Sequence, residues 1–275
     1  MTFFTRGWGV ACLFTLLLTS CHLLEFSPNQ VAATGGARQL TAQNLARLRQ
    51  QPRAAGGDTV RFVFIGDTQR FYDETAEFVR SVNQQRGIDF VLVGGDISDF
   101  GLGREMQWVH ERLRRLRMPY LTVIGNHDQV GNGRRAYQAV FGPLNYSFEY
   151  GGTRFVMVDT NGREVGCNGT VPDLGWLRQE LADTTRRTVV ACHVPPNDND
   201  FDPQLMLGYA AVLAQHPRLA VHLAAHIHRY TAGHPFRDAV PYITTYSLHK
   251  HRYHVVSVWG RRAFSLQTVD YGPAS

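Results

Sequence analysis

From Thr59 onward, apolar runs alternate with stretches of helical periodicity, and no other property of this 275-residue chain restricts its fold as tightly. Residues 60–65, 90–93 and 120–124 are short, almost wholly apolar and rich in β-branched and aromatic side chains. Between them lie patterns of helical spacing over residues 73–85 and 102–116. Strands buried on both faces and joined by helices are βαβ units, so this half predicts parallel strands in an α/β fold. Each of the three strands ends in a glycine-containing polar tag: Gly66-Asp67, Gly94-Gly95-Asp96 and Gly125-Asn126-His127-Asp128. In open α/β sheets ligands bind beyond the carboxyl ends of the strands, which predicts that the three tags converge on one site.

The second half alternates differently. Residues 146–150 and 153–159 flank Gly151-Gly152 as a hairpin, and residues 173–182 have helical spacing with Leu174, Leu177 and Leu181 inward. Two further strands follow, residues 188–192 ending at His193 and residues 220–225 ending at His226 and His228. Three last strands, about residues 242–246, 255–259 and 264–269, predict a mixed two-sheet sandwich closed by a C-terminal meander. With 44% hydrophobic and 19% charged residues, the chain has enough apolar material for a substantial core and too little charge for disorder. The net charge of +5 comes almost wholly from arginine, Lys250 being the only lysine, and permits anionic partners without naming one. Arg112, Arg114, Arg115 and Arg117 lie among Met106, Val109, Leu113 and Leu116, whose spacing marks a buried stripe, so these arginines belong to a solvated helix face.

The N-terminus reads as a targeting segment outside the fold. Residues 1–20 carry Arg6, then an apolar stretch from Val10 to Leu18, then small polar residues; the stretch is too short for a spanning helix of about 20 residues. Leu18-Thr19-Ser20-Cys21 resembles a bacterial lipoprotein signal, in which the cysteine is lipidated and becomes the first mature residue. That reading is preferred over an ordinary cleaved signal or a short anchor, and it implies a membrane partner reached through lipid on Cys21. The expected location is the bacterial cell envelope, and His22 favours outer-membrane sorting in a host with two membranes. Residues 21–58, rich in Gln, Ala, Arg and Gly, read as a flexible tether with one short helix around residues 41–50, leaving residues 59–275 as the folded domain. Of the four cysteines, Cys167 and Cys192 remain in that domain, either as a disulfide or with Cys192 as a small buried residue.

Seven side chains of metal-ligand type stand at or just beyond strand ends: Asp67, Gln69, Asp96, Asn126, His193, His226 and His228. Each alone has an ordinary explanation as a turn or surface residue; the set does not. In order they form Asp67-Thr68-Gln69, Gly95-Asp96-Ile97-Ser98-Asp99, Gly125-Asn126-His127-Asp128, the lone His193 and His226-Ile227-His228. The sequence resembles the calcineurin-like metallophosphoesterase superfamily, whose motifs are Asp-x-His, Gly-Asp-x-x-Asp, Gly-Asn-His-Asp/Glu, a lone His and Gly-His-x-His. The resemblance runs from about residue 60 to residue 228 and implies an αββα sandwich of two mixed β-sheets flanked by helices.

It also implies an activity, hydrolysis of a phosphomonoester or phosphodiester at two divalent cations. Such a pair sits about 3.5–4 Å apart, stabilises nucleophile and transferring oxygens, and needs a bridging carboxylate. By resemblance Asp96 is the bridge, Asp67, Gln69 and His228 complete the first site, and Asn126, His193 and His226 the second. Two dications over two carboxylates leave an excess positive charge that suits an incoming phosphate and a bound hydroxide nucleophile. His127 is implied as the residue that contacts phosphate or protonates the leaving oxygen, oriented by Asp99.

Three departures from the family pattern bear on this. Gln69 replaces the usual His; an amide oxygen is a harder ligand, which tilts the first site toward Mn, Fe or Mg over Zn. Phe100 stands where protein serine/threonine phosphatases have the Arg of Arg-Gly, a bidentate phosphate clamp, so a dedicated phosphoprotein phosphatase is disfavoured. Ala225 replaces a glycine. Specificity is expected from loops 70–73, 161–172 and 195–203, the last carrying Asp198 and Asp200 and read as a solvated acidic turn in preference to a third-cation site; His249, Lys250, His251, Arg252 and His254 read as a solvated basic hairpin in preference to a patch facing phosphate or an anionic membrane. No aromatic-interleaved basic stretch marks a nucleic-acid track, so no nucleic-acid partner is expected. The rivals are a nuclease or cyclic-nucleotide phosphodiesterase within the class, and a noncatalytic surface lipoprotein that binds a phosphorylated ligand.

Overall fold

Phe62 and Phe64 alternate with Val63 and Ile65 along one strand, and a strand can bury both sets only if apolar layers cover both of its faces. The computed structural model, which describes Val31, residues 37–52 and residues 57–272, has that arrangement. Phe62, Phe64, Phe90 and Leu92 meet Phe148, Phe155, Met157, Val189 and Leu223 in a core between two sheets. On the far side, Val63, Ile65, Val91 and Val93 pack against Phe78, Val82, Met106, Val109 and Tyr137 from helices. A third core joins Val156, Val158 and Val190 to Leu177, Tyr209 and Leu213. The layers are therefore helix, sheet, sheet, helix.

The described elements run in the order α1 (Leu40–Gln50), β1 (Val60–Ile65), α2 (Tyr72–Gln84), β2 (Phe90–Val93), α3 (Gly103–Leu113), β3 (Tyr120–Thr122), α4 (Gly133–Val140), β4 (Tyr146–Tyr150), β5 (Thr153–Val158), α5 (Leu174–Glu180), β6 (Arg187–Cys192), α6 (Met206–Ala214), β7 (Leu219–Ala224), β8 (Thr231–Gly233), β9 (Tyr242–Thr244), β10 (Arg252–Trp259) and β11 (Ala263–Asp270). The first sheet has the order β11-β10-β1-β2-β3 and the second β4-β5-β6-β7-β9-β8. Strands β1, β2 and β3 are parallel, as are β5, β6, β7 and β9, while β10 runs against β1. The carboxyl ends of both parallel sets carry the polar tags, as the strand pattern predicts.

Two expectations need correction. The last strands are not one meander: β9 joins the second sheet beside β7, whereas β10 and β11 extend the first beside β1. The short helix expected around residues 41–50 is present as α1, but it is packed into the fold and is not part of a loose tether. Leu40 and Leu48 of α1 are buried in two different cores, and Ala37 is buried with them. Asn44 Oδ1 accepts the Tyr120 N–H of edge strand β3 at 3.2 Å while its amide donates to Leu40 O at 2.9 Å. Helix α1 thus covers a sheet edge that would otherwise stand open. Cys167 and Cys192 are both free thiols, the latter buried. The signal segment and Cys21 lie outside the described residues.

Candidate metal centre

The tags meet because the backbone turns sharply after each strand. Asp67 and Asp96 have φ of 55° and 54°, and His226 and His228 have φ of 69° and 55°, a left-handed conformation costly for residues with a Cβ. The cost is sustained by a buried hydrogen-bond frame. Asp67 N–H donates to Gly95 O at 3.0 Å, and Thr68 and Gln69 N–H both donate to Asp96 O at 2.9 Å. Close approach also requires two glycines: a Cβ on Gly95 would lie 2.6 Å from His193 Nδ1, and one on Gly125 would lie 2.1 Å from Asp96 Oδ1. Ala225 is not among the positive-φ residues, and its methyl fills the space that Gly66 and Gly94 leave. Alanine for glycine there is a packing change.

Asp128 and Glu105, to which the sequence assigned no role, hold these turns. Asp128 Oδ1 accepts from Ile97 N–H at 2.9 Å, Ser98 N–H at 2.7 Å and the Ser98 hydroxyl at 2.8 Å, while Oδ2 accepts from Gly125 N–H at 2.9 Å. Burial and the charge of Asp96 nevertheless push its carboxyl up to about 7. Glu105 Oε2 accepts from the backbone N–H groups of Asp99, Phe100 and Leu102, fixing the loop at the start of α3. The fourth position of the Gly-Asn-His-Asp block was the one available signal for Asp128.

All seven expected ligands come together. Asp96 faces both halves: Oδ1 lies 3.3 Å from His193 Nε2 and Oδ2 lies 3.4 Å from Gln69 Nε2. In the first half, His228 Nε2 stands 3.0 Å from Asp67 Oδ1, yet neither Asp67 oxygen has an aligned hydrogen-bond partner. Gln69 Oε1 is also buried without one. In the second half, Asn126 Oδ1 lies 3.0 Å from His193 Nε2 and 3.1 Å from His226 Nδ1, and the two imidazole nitrogens are 3.3 Å apart. His193 Nδ1 is 2.7 Å from Gly94 O, so that nitrogen carries the proton and Nε2 presents a lone pair to other acceptors.

Lone pairs facing lone pairs in a buried site require a positive charge between them. Burial alone would lower His193, but the charge and contact of Asp96 outweigh it and push the imidazole up to about 9, so at neutral pH a proton supplies that charge. Asp96, despite burial, is held below the ordinary carboxylate range by His193 and His127. Orphaned carboxylate and amide oxygens beside a proton-bridged acceptor cluster are what a cation pair would satisfy, and the residues fit such a group.

Asp99 holds His127 chiefly through its backbone carbonyl. The Asp99 carboxylate is taken by an ion pair with Arg70, and His127 Nδ1 instead lies 3.0 Å from the Asp99 backbone carbonyl and 3.7 Å from its carboxylate. The His127 side chain remains 40% exposed at the mouth of the site, and the His127 backbone N–H donates to Asp96 Oδ1 at 3.0 Å. The basic hairpin also divides: His254 is buried in β10, whereas the His249 ring stands 6.1 Å from that of His228. Ser247 Oγ donates to Asp67 O at 3.3 Å, which pins the His249 turn to the first half-site.

Comparison with known proteins agrees with this geometry. The profile of the Calcineurin-like phosphoesterase family matches residues 60–230, from the first strand through the His-x-His segment. The chain belongs to this family. A Synechococcus protein named "Probable cyclic nucleotide phosphodiesterase" is 26% identical over 158 residues, 53% of this chain and 60% of that protein. The glycerophosphodiester phosphodiesterase GpdQ of Enterobacter lignolyticus is 28% identical over 144 residues, 46% of this chain and 50% of the relative. The chain thus spans about half of these relatives' length. Among solved structures, a dimetal phosphatase from Danio rerio superposes with a TM-score of 0.57 at 17% identity, covering 78% of this chain and 99% of the other. A purple acid phosphatase from yellow lupin gives 0.64 at 13% identity, covering 80% and 52%. At such identities the structural likeness establishes the sandwich of two mixed sheets flanked by helices.

Proposed function

We propose that this phosphoesterase is a binuclear, metal-dependent enzyme that hydrolyses a phosphodiester in preference to a phosphomonoester. The observation that carries the reading is the pair of half-sites sharing Asp96, with Asp67 and Gln69 oxygens buried without an aligned hydrogen bond on one side and Asn126 Oδ1, His193 Nε2 and His226 Nδ1 facing one another on the other. Asp67, Gln69, Asp96 and His228 would hold one divalent cation, and Asp96, Asn126, His193 and His226 the other. Bound there, the cations, of Mn, Fe, Zn or Mg type, supply Lewis-acid stabilisation of phosphoryl charge and a water activated at neutral pH.

The remaining work falls to the chain's own residues. His127, fixed through Nδ1 to Asp99 O, presents Nε2 at the open face, where it can give a proton to the leaving oxygen. Arg70, paired with Asp99, lies over half exposed beside it and adds positive charge to the approach. The preference for a diester rests on the names of both relatives. The intact ligand set counts against a noncatalytic lipoprotein. Hydrolysis of bis(4-nitrophenyl) phosphate and 4-nitrophenyl phosphate by the manganese-loaded protein tests the preference: the diester should show the higher kcat/KM, and a faster monoester would reverse it.

The proposal extends to location. The lipoprotein-like stretch ending at Cys21 supports an exported chain held at the envelope by lipid. Cys21→Ser should move the protein from the membrane to the soluble fraction; unchanged fractionation would remove this part of the reading.

A further inference from the structure

His226 has two ring edges, and the second half-site uses only one. Its Nδ1 faces Asn126 Oδ1 and His193 Nε2, while Nε2 points out of the half-site and lies 3.2 Å from Asp200 Oδ2 and 3.7 Å from Asp198 Oδ1. These aspartates come from the 195–203 loop, which the sequence marked as a solvated turn. They do lie in a turn, but half-buried and with their carboxylates facing His226. Asp198 N–H donates to Pro195 O at 3.0 Å, Phe201 N–H donates to Asp198 O at 3.2 Å, and the Phe201 ring is buried against Tyr209. Asp200 N–H donates to Asp198 Oδ1 at 2.9 Å, and the Asp200 carboxylate forms an ion pair with Arg163 from the turn Gly162–Val165.

We propose that Asp200, anchored by Arg163, is a positioning residue whose carboxylate draws the imidazole hydrogen of His226 to Nε2 and so leaves the Nδ1 lone pair facing the second half-site. Asp200 Oδ2 stands 3.2 Å from Nε2, within ion-pair distance, and a carboxylate can accept a hydrogen there but not donate one, which favours the neutral imidazole with its hydrogen on Nε2. That choice fixes both tautomer and ring angle, and it makes Nδ1 a stronger electron-pair donor. Arg163 keeps Asp200 from turning to solvent, and through this pair the 161–172 loop is tied to the site. The inference rests on the binuclear reading proposed above. The competing arrangement, Asp198, Asp200 and His226 as ligands of an additional cation, has three ligand atoms within 4.8 Å of one another, but the Arg163 guanidinium pairs with Asp200 Oδ1 and already places a positive charge beside them.

Calorimetric titration of the chelated protein with Mn²⁺ decides the matter, with Asp200→Ala, Asp200→Asn and Arg163→Ala beside the wild type. The wild type should take up two ions. Asp200→Ala should weaken one of the two sites about 10- to 100-fold and leave the other unchanged, with the melting temperature of the metal-free protein unaltered. Asp200→Asn keeps an acceptor for the Nε2 proton without the charge and should recover part of the loss, and Arg163→Ala should fall between wild type and Asp200→Ala. Wild-type affinity at both sites in Asp200→Ala would overturn the positioning role while leaving the binuclear reading intact. Equal weakening of both sites with a lowered melting temperature would also overturn it, by making Asp200 a structural residue. A third ion in the wild type that Asp200→Ala loses would establish the competing arrangement. Fewer than two ions in the wild type would remove the binuclear reading and the inference with it.

Discussion

At the scale of the residue, His127 has a separable task. It is absent from both clusters of expected ligands, its Nδ1 is held by a backbone carbonyl, and its ring is open to solvent. His127→Asn should therefore lower kcat about 10²- to 10⁴-fold on a diester with a poor leaving group, and far less on a nitrophenyl ester, with both metal ions retained. An equal loss on both substrates would assign His127 to phosphate contact instead of proton transfer. The expected ligands were legible from residue type at strand ends because carboxylates, amide oxygens and imidazoles are side chains suited to hard and borderline cations. What the sequence hid is conformational. The positive φ of Asp67, Asp96, His226 and His228 carries no glycine to mark it. Arg70 also turns left-handed, with φ of 57°, which brings it onto the Asp99 carboxylate and leaves His127 with the carbonyl.

At the scale of the element, α1 and β7 carry testable loads. Leu48 is 1% exposed in the core between the sheets, so Leu48→Ala should cost about 2–5 kcal/mol in denaturant unfolding, as for other large-to-small core changes. A value near zero would return α1 to the status of a loose tether. His222 on β7 is buried, beside Tyr209 and Cys192, and burial pushes it down to about 3. The unfolded chain, titrating near 6.5, then binds more protons than the fold, so stability is complete above about pH 6.5 and falls as pH drops toward 3, by about 1.4 kcal/mol per pH unit. His222→Gln should flatten the pH dependence of stability over that window, as followed by urea unfolding between pH 7 and pH 5; an unchanged slope would contradict the assignment. Most strands were legible because buried apolar runs bounded by glycine have few alternatives. Helix α6 was not, since Met206–Ala214 is apolar around its whole circumference and shows no periodic stripe. Helix α4 is only 8 residues long and opens on Gly133. The division of β9 and β10 between sheets was also hidden, because alternation reports which faces are buried and says nothing about the neighbouring strand.

At the scale of the whole molecule, the two sheets and their helices serve to bring the loops after β1, β2, β3, β6 and β7 to one edge of the sandwich. The charged cluster formed there is stable only when balanced. Without cations a proton on His193 performs that balance, so the metal-free protein should release protons on loading and bind metal more tightly as pH rises toward 9. Loading should also raise the melting temperature, since a ligand at 100-fold over its Kd stabilises by about 2.7 kcal/mol. The most direct test of the binuclear reading is diester hydrolysis by protein stripped with chelator and reloaded with Mn, Fe, Zn or Mg, measured alongside Asp96→Asn. Turnover that disappears on stripping, returns on reloading and is lost in Asp96→Asn is the predicted result. Turnover that survives stripping, or that Asp96→Asn retains in full, would contradict it.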